Sequence, residues 1–139
     1  DRAFYSPLAD YIVVPLRSQF VDMQSFYETL LHEMGHSTGH PTRLNRDLAH
    51  PFGSEEYGKE ELTAEFAAAL AGMFFGIAEH IRTENAAYLK SWIKAIREEP
   101  KFSLNVLNDA MKMVKRIAGK LNISVESEET AADEAEQVA

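Results

Sequence analysis

The chain has no cysteine among its 139 residues. That absence excludes a disulfide framework, a cysteine nucleophile and a cysteine-ligated metal site, and it suits a reducing compartment. Long apolar runs are also missing. The most apolar stretch, Phe66–Ala78, has 13 residues, too short to span a bilayer, so no membrane partner is expected. The N-terminus lacks both a charged-then-apolar leader and a Met, and Asp1 reads as the start of a fragment or processed product. An excess of positive charge is absent too. Formal net charge is -8, and Glu126, Glu128, Glu129, Asp133, Glu134 and Glu136 concentrate negative charge near the C-terminus. The rest of the chain is close to neutral, which gives no electrostatic argument for nucleic-acid binding by this chain alone.

What is present suits one globular domain: 45% hydrophobic and 26% charged residues. Residues 3–5 and 11–14 read as two short strands, with Pro7 and Asp10 marking the turn. A first helix starts at an Asp22 cap, carries Phe26, Tyr27, Leu30, Leu31 and Met34 on one stripe, and is brought to an end by Gly35, Gly39 and Pro41. A loop over 41–56 follows. A second helix covers 57–77, with Leu62, Phe66, Ala69, Leu70 and Met73 as its apolar stripe, and its many small residues make it the central buried helix. A third helix covers about 84–98. A fourth covers 104–120, capped by Ser103, with Val106, Leu107, Ala110, Val114 and Ile117 inward. Residues 1–123 form the domain. Residues 124–139, acidic and without aromatics, read as a disordered tail.

The chemistry lies in His32-Glu33-Met34-Gly35-His36, an HExxH motif. A chain of this composition would contain it by chance about 0.02 times. Residues four apart on a helix share a face, so both imidazoles can reach one ion. The glutamate beside the first histidine sits where it can take a proton from metal-bound water.

A zinc site with an open position needs a third protein ligand. Three sources compete. In the HExxHxxGxxH pattern Gly39 fits, but Thr42 occupies the last histidine position. His40 follows His36 by four residues, yet Gly39 and Pro41 break the helix there. The remaining source is a carboxylate on the second helix, where Glu61 and Glu65 lie one turn apart. We assign His32, His36 and Glu61 to one Zn2+ per chain and Glu33 to catalysis. Glu65 reads as the carboxylate that orients a ligating histidine through its other ring nitrogen. Glu60 reads as a solvated acid favoured by the helix dipole, although either Glu60 or Glu65 remains open as a replacement for Glu61. His50 and His80 read as solvated loop residues, and Phe66, Phe74, Phe75 and Trp92 as core. Arg43 and Arg46 read as loop ion-pair partners. Tyr57 reads as a candidate oxyanion donor.

Several motifs in order carry a family resemblance. They are Tyr5-x-Pro7-x-x-Asp10-x-Ile12-x-x-Pro15, the stretch from Tyr27 through the HExxH motif to Thr38-Gly39-His40, and Arg43-Leu44-Asn45-Arg46. Phe52-Gly53, the Tyr57 to Glu65 segment and Asn85-Ala86-Ala87-Tyr88-Leu89-x-Ser91-Trp92 complete the set. Together they closely resemble the C-terminal zincin-like metallopeptidase domain of ArdC-type antirestriction proteins, which TraC-like plasmid and phage primases share. Met34-Gly35 and Ser37 depart from the family's common residues. The resemblance implies an α+β, mainly α, gluzincin-type fold: an HExxH helix packed on further helices with a small antiparallel β element. It also implies a bacterial mobile element, a cytoplasmic setting, and single-stranded DNA as a partner only through an N-terminal domain to which nothing here corresponds. Two functions follow. One is a zinc metallopeptidase acting on a peptide or protein substrate. The other is a zinc-containing module that docks DNA or a restriction enzyme without proteolysis. Glu33 favours the first, because a purely structural zinc site would not need it.

Overall fold

The computed structural model describes residues 2–77, 90, 93, 94 and 97–122. Most of the expected 84–98 helix lies outside these residues, although Lys90, Ile93, Lys94, Arg97 and Glu98 are helical. His80, the Asn85–Trp92 motif, the 1–123 boundary and the 124–139 tail also lie outside them.

The chain opens with a two-stranded antiparallel hairpin, β1 (Phe4–Ser6) and β2 (Tyr11–Val13), in which Tyr5 pairs with Ile12. Asp10 takes a positive φ of 52° at the turn, a conformation that aspartate tolerates better than most residues. A 3₁₀ turn over Arg17–Gln19 leads into α1 (Met23–Thr38). The Asp22 side chain accepts from Ser25 N at 2.7 Å, satisfying one amide that the helix start leaves free. A loop then reaches Ser54, whose hydroxyl caps α2 (Glu55–Phe74) through Tyr57 N. Helix α3 (Pro100–Lys120) completes the described structure.

Three local expectations are corrected. Helix α1 runs through Gly35 and ends at Thr38, with Gly39 as its cap. Gly35 is instead a packing residue: a Cβ there would lie 3.2 Å from Ala64 Cα and 3.3 Å from Ala64 Cβ. Helix α3 starts four residues early. Pro100 takes the first turn, where its missing N–H costs nothing, and the Ser103 hydroxyl bonds back to Glu99 O instead of capping. The buried face of α2 is also not the bulky stripe. Thr63, Ala64, Ala67, Ala68, Ala71 and Gly72 are buried while Met73 is exposed. Small side chains let neighbouring helices come close, and the larger Phe66 and Leu70 pack at the flank of the core.

Helix α2 packs against both α1 and α3, and the hairpin packs on α1. Leu31, Ala67, Ala68, Ala71, Ala110, Met113, Val114 and Ile117 form the buried cluster. Val106 is buried as expected, but Leu107 and Phe74 are exposed. This mainly helical arrangement with a small antiparallel hairpin is the α+β fold anticipated from the sequence.

Candidate metal centre

The Gly35–Ala64 contact brings the second half of α1 against the first half of α2. His32 and His36 share one face of α1, and Glu60, Glu61 and Glu65 face them from α2. The two imidazole Nε2 atoms are 3.0 Å apart, with the rings near perpendicular at 85°. Glu61 lies in front of both: its Oε2 is 3.6 Å from His32 Nε2 and its Oε1 is 3.4 Å from His36 Nε2. One donor atom from each of His32, His36 and Glu61 falls within 4.8 Å of the other two, a spacing compatible with one ion.

The other ring nitrogens face carboxylates. His36 Nδ1 is 3.1 Å from Glu60 Oε1, in hydrogen-bond geometry. His32 Nδ1 is 3.2 Å from Glu65 Oε1, but off the hydrogen-bond direction, so this buried nitrogen has an ion-pair neighbour without an aligned acceptor. A proton on each Nδ1 leaves both Nε2 lone pairs directed at the same space. Two lone pairs at that separation repel unless a proton or cation comes between them, so the donor set fits a metal ion. Burial alone would lower the His32 imidazole, but the Glu65, Glu33 and Glu61 carboxylates outweigh it and raise it.

Glu60 corrects the expectation of a solvated acid. Its side chain is only 12% exposed. Arg46 grips it with a fork, Nε to Oε2 at 2.9 Å and Nη2 to Oε1 at 2.8 Å. Burial pushes the Glu60 carboxyl up, but the hydrogen bonds from Arg46 and His36 win and hold it below its usual value. Arg46 also donates to Thr38 Oγ1 and Gly35 O, so one guanidinium ties the 39–54 loop, the end of α1 and the start of α2 together. The sequence reading gave Arg46 an ion pair but no partner. Nothing in the residue types or spacing pairs Arg46 with Glu60; the path of the 39–54 loop does.

Glu33 is buried on α1 beside the two histidines. Burial raises its carboxyl, against the smaller opposing pull of the His32 and His36 imidazoles. It opens onto a cleft of about 360 Å³, whose lining includes Tyr5, His32, His36, His50, Tyr57 and Glu61. His50, in the loop as expected, is partly buried at the cleft wall and not fully solvated. The Tyr57 phenol, raised chiefly by burial, sits against the Glu61 carboxylate. His40 turns away, with its Nδ1 2.8 Å from Thr42 Oγ1. Arg43 forms the expected loop ion pair: it bonds Asp10 and Tyr5 and donates to Ser37 O.

Known proteins resemble this chain in sequence and fold. A family model described as a zincin-like metallopeptidase matches residues 1–107. DNA primase TraC of Escherichia coli is 52% identical over 113 residues, which are 81% of this chain and 11% of TraC. The metal-free crystal structure of the antirestriction protein ArdC from plasmid R388 superposes with a TM-score of 0.67 at 30% identity, covering 89% of this chain and 45% of ArdC. Its Mn(II)-bound form gives a TM-score of 0.67 at 32% identity, covering 82% and 42%. This chain thus spans a small part of TraC and under half of ArdC, and among its described residues no helix is long and apolar enough to cross a membrane. The motif-bearing helices, the site they frame and these matches lead to one assignment: the chain belongs to the zincin-like metallopeptidase family, a family that implies a metal, and shares the fold of the ArdC antirestriction protein.

Proposed function

We propose that this chain is a zinc-dependent peptidase domain of an antirestriction or mobile-element protein, with His32, His36 and Glu61 holding one ion and Glu33 acting as the general base. The observation that carries it is the meeting of two Nε2 atoms and the Glu61 carboxylate beside a buried glutamate. Two imidazoles and a single carboxylate suit zinc better than a carboxylate-rich set would. Zinc, when bound, acidifies water and polarises a substrate carbonyl. Glu33, with its carboxyl raised by burial, is the stronger base for it. It accepts a proton from the attacking water and returns it to the leaving amine. Glu60 and Glu65 orient the imidazoles. The cleft admits a peptide segment of a protein substrate, and single-stranded DNA would engage another part of a longer protein.

Cleavage of a peptide library by the metal-loaded chain tests this reading. Glu33→Gln should retain the ion and lose about 10²–10⁴-fold in rate, as expected for a lost general base. Antirestriction by a longer parent that survives Glu33→Gln intact would instead favour docking without hydrolysis.

A further inference from the structure

Arg46 lies in a loop and touches no atom of the proposed ligand set, yet it commands one of them. It holds Glu60 by two hydrogen bonds on separate oxygens. Glu60 Oε1, one of those oxygens, is also the acceptor facing His36 Nδ1. The same guanidinium is fixed from behind by Gly35 O at 2.9 Å and Thr38 Oγ1 at 2.8 Å. Both the arginine and the glutamate side chains are largely buried, at 13% and 12% exposure. A planar fork held at three residues cannot rotate freely, so the carboxylate it grips has one orientation. That orientation decides which nitrogen of His36 carries its proton and where Nε2 points.

We propose that Arg46 is the positioning residue of His36, acting through Glu60, and that seating of the 39–54 loop is thereby coupled to metal affinity. This rests on the reading of His32, His36 and Glu61 as the metal set. The coupling is reciprocal: if the seated loop tightens the ion, the ion must tighten the loop. Two loop amides report on seating, because Leu44 N–H bonds Thr38 O at 2.8 Å and Asn45 N–H bonds His40 O at 3.2 Å.

The test uses the full chain, stripped with chelator and titrated with zinc or manganese alone. His36→Ala serves as the control for the underlying reading: if the wild type binds no ion, or His36→Ala binds as well as wild type, the metal set itself is wrong. With that control passed, Arg46→Met should weaken affinity by about 10–100-fold, the range for lost support of a ligand. Metal should slow hydrogen exchange at Leu44 and Asn45 in the wild type, and Arg46→Met should lose that response. A folded Arg46→Met with wild-type affinity overturns the proposal. Should Arg46→Met not fold, nitrogen-15 NMR of the metal-free wild type decides. The neutral His36 ring should carry its proton on Nδ1, and a predominantly Nε2-protonated ring would contradict the proposal.

Discussion

Gly35 of α1 meets Ala64 of α2 so closely that a Cβ on residue 35 would stand 3.2 Å from Ala64 Cα. Ala64 stands between the glutamates that face His32 and His36. The contact therefore sets the distance across which imidazoles and carboxylates meet. Met113 Sδ, on α3, would lie 3.3 Å from the same Cβ, which leaves no room on the third side.

Gly35→Val should accordingly destabilise the fold by about 1–3 kcal/mol, the range for overpacking a close-packed site. The gain in helix propensity over glycine is only a few tenths of a kcal/mol and does not offset it. Denaturant unfolding measures the change. Metal affinity should fall as well, since the helices must part. An unchanged midpoint would show that α1 and α2 tolerate a wider spacing.

Glu65→Ala should weaken metal binding by about 10–100-fold without abolishing it, because Glu65 faces His32 Nδ1 and not the shared space between the Nε2 atoms. Chelator competition measures this. Complete loss would make Glu65 a ligand in place of Glu61.

The hairpin's tie to α1 should depend on pH. Hydrogen bonds from Arg43 and Tyr5 hold the Asp10 carboxyl below its ordinary value of 3.8. A depressed carboxylate stabilises the folded state above the unfolded value, and that contribution disappears as pH falls through the folded one. Wild type should therefore melt above Asp10→Asn at neutral pH by a constant small margin. The margin should begin to shrink only as pH drops to about 4 and vanish below the folded value. Salt should reduce it, because the pair is solvent-exposed. A margin that persists at lower pH would locate the effect in the turn backbone.

Much of this was legible from residue types and spacing. The HExxH register fixed which imidazoles share a face, the Asp22 cap located the start of α1, and the small-residue content of α2 marked it as the helix that others approach. Periodicity failed where several faces of a helix are apolar. In α2 the bulk of Leu62, Phe66 and Leu70 outweighed the alanines in the pattern, yet close packing buried the alanines. The role of Glu60 was hidden for a different reason. Its angle from Glu61 on the α2 helical wheel says nothing about a loop arginine that folds against it, and only the tertiary path of residues 39–54 brings Arg46 there. His50 was misread for the same reason.

The central claim is that His32, His36 and Glu61 together hold one ion. Native mass spectrometry of the metal-loaded chain tests it most directly, with Glu60→Ala, Glu61→Ala and Glu65→Ala measured alongside. The account predicts one zinc per wild-type chain, loss of the ion in Glu61→Ala, and weakened but detectable binding in the other two. Full metal occupancy in Glu61→Ala, or no ion on the wild type, would contradict it.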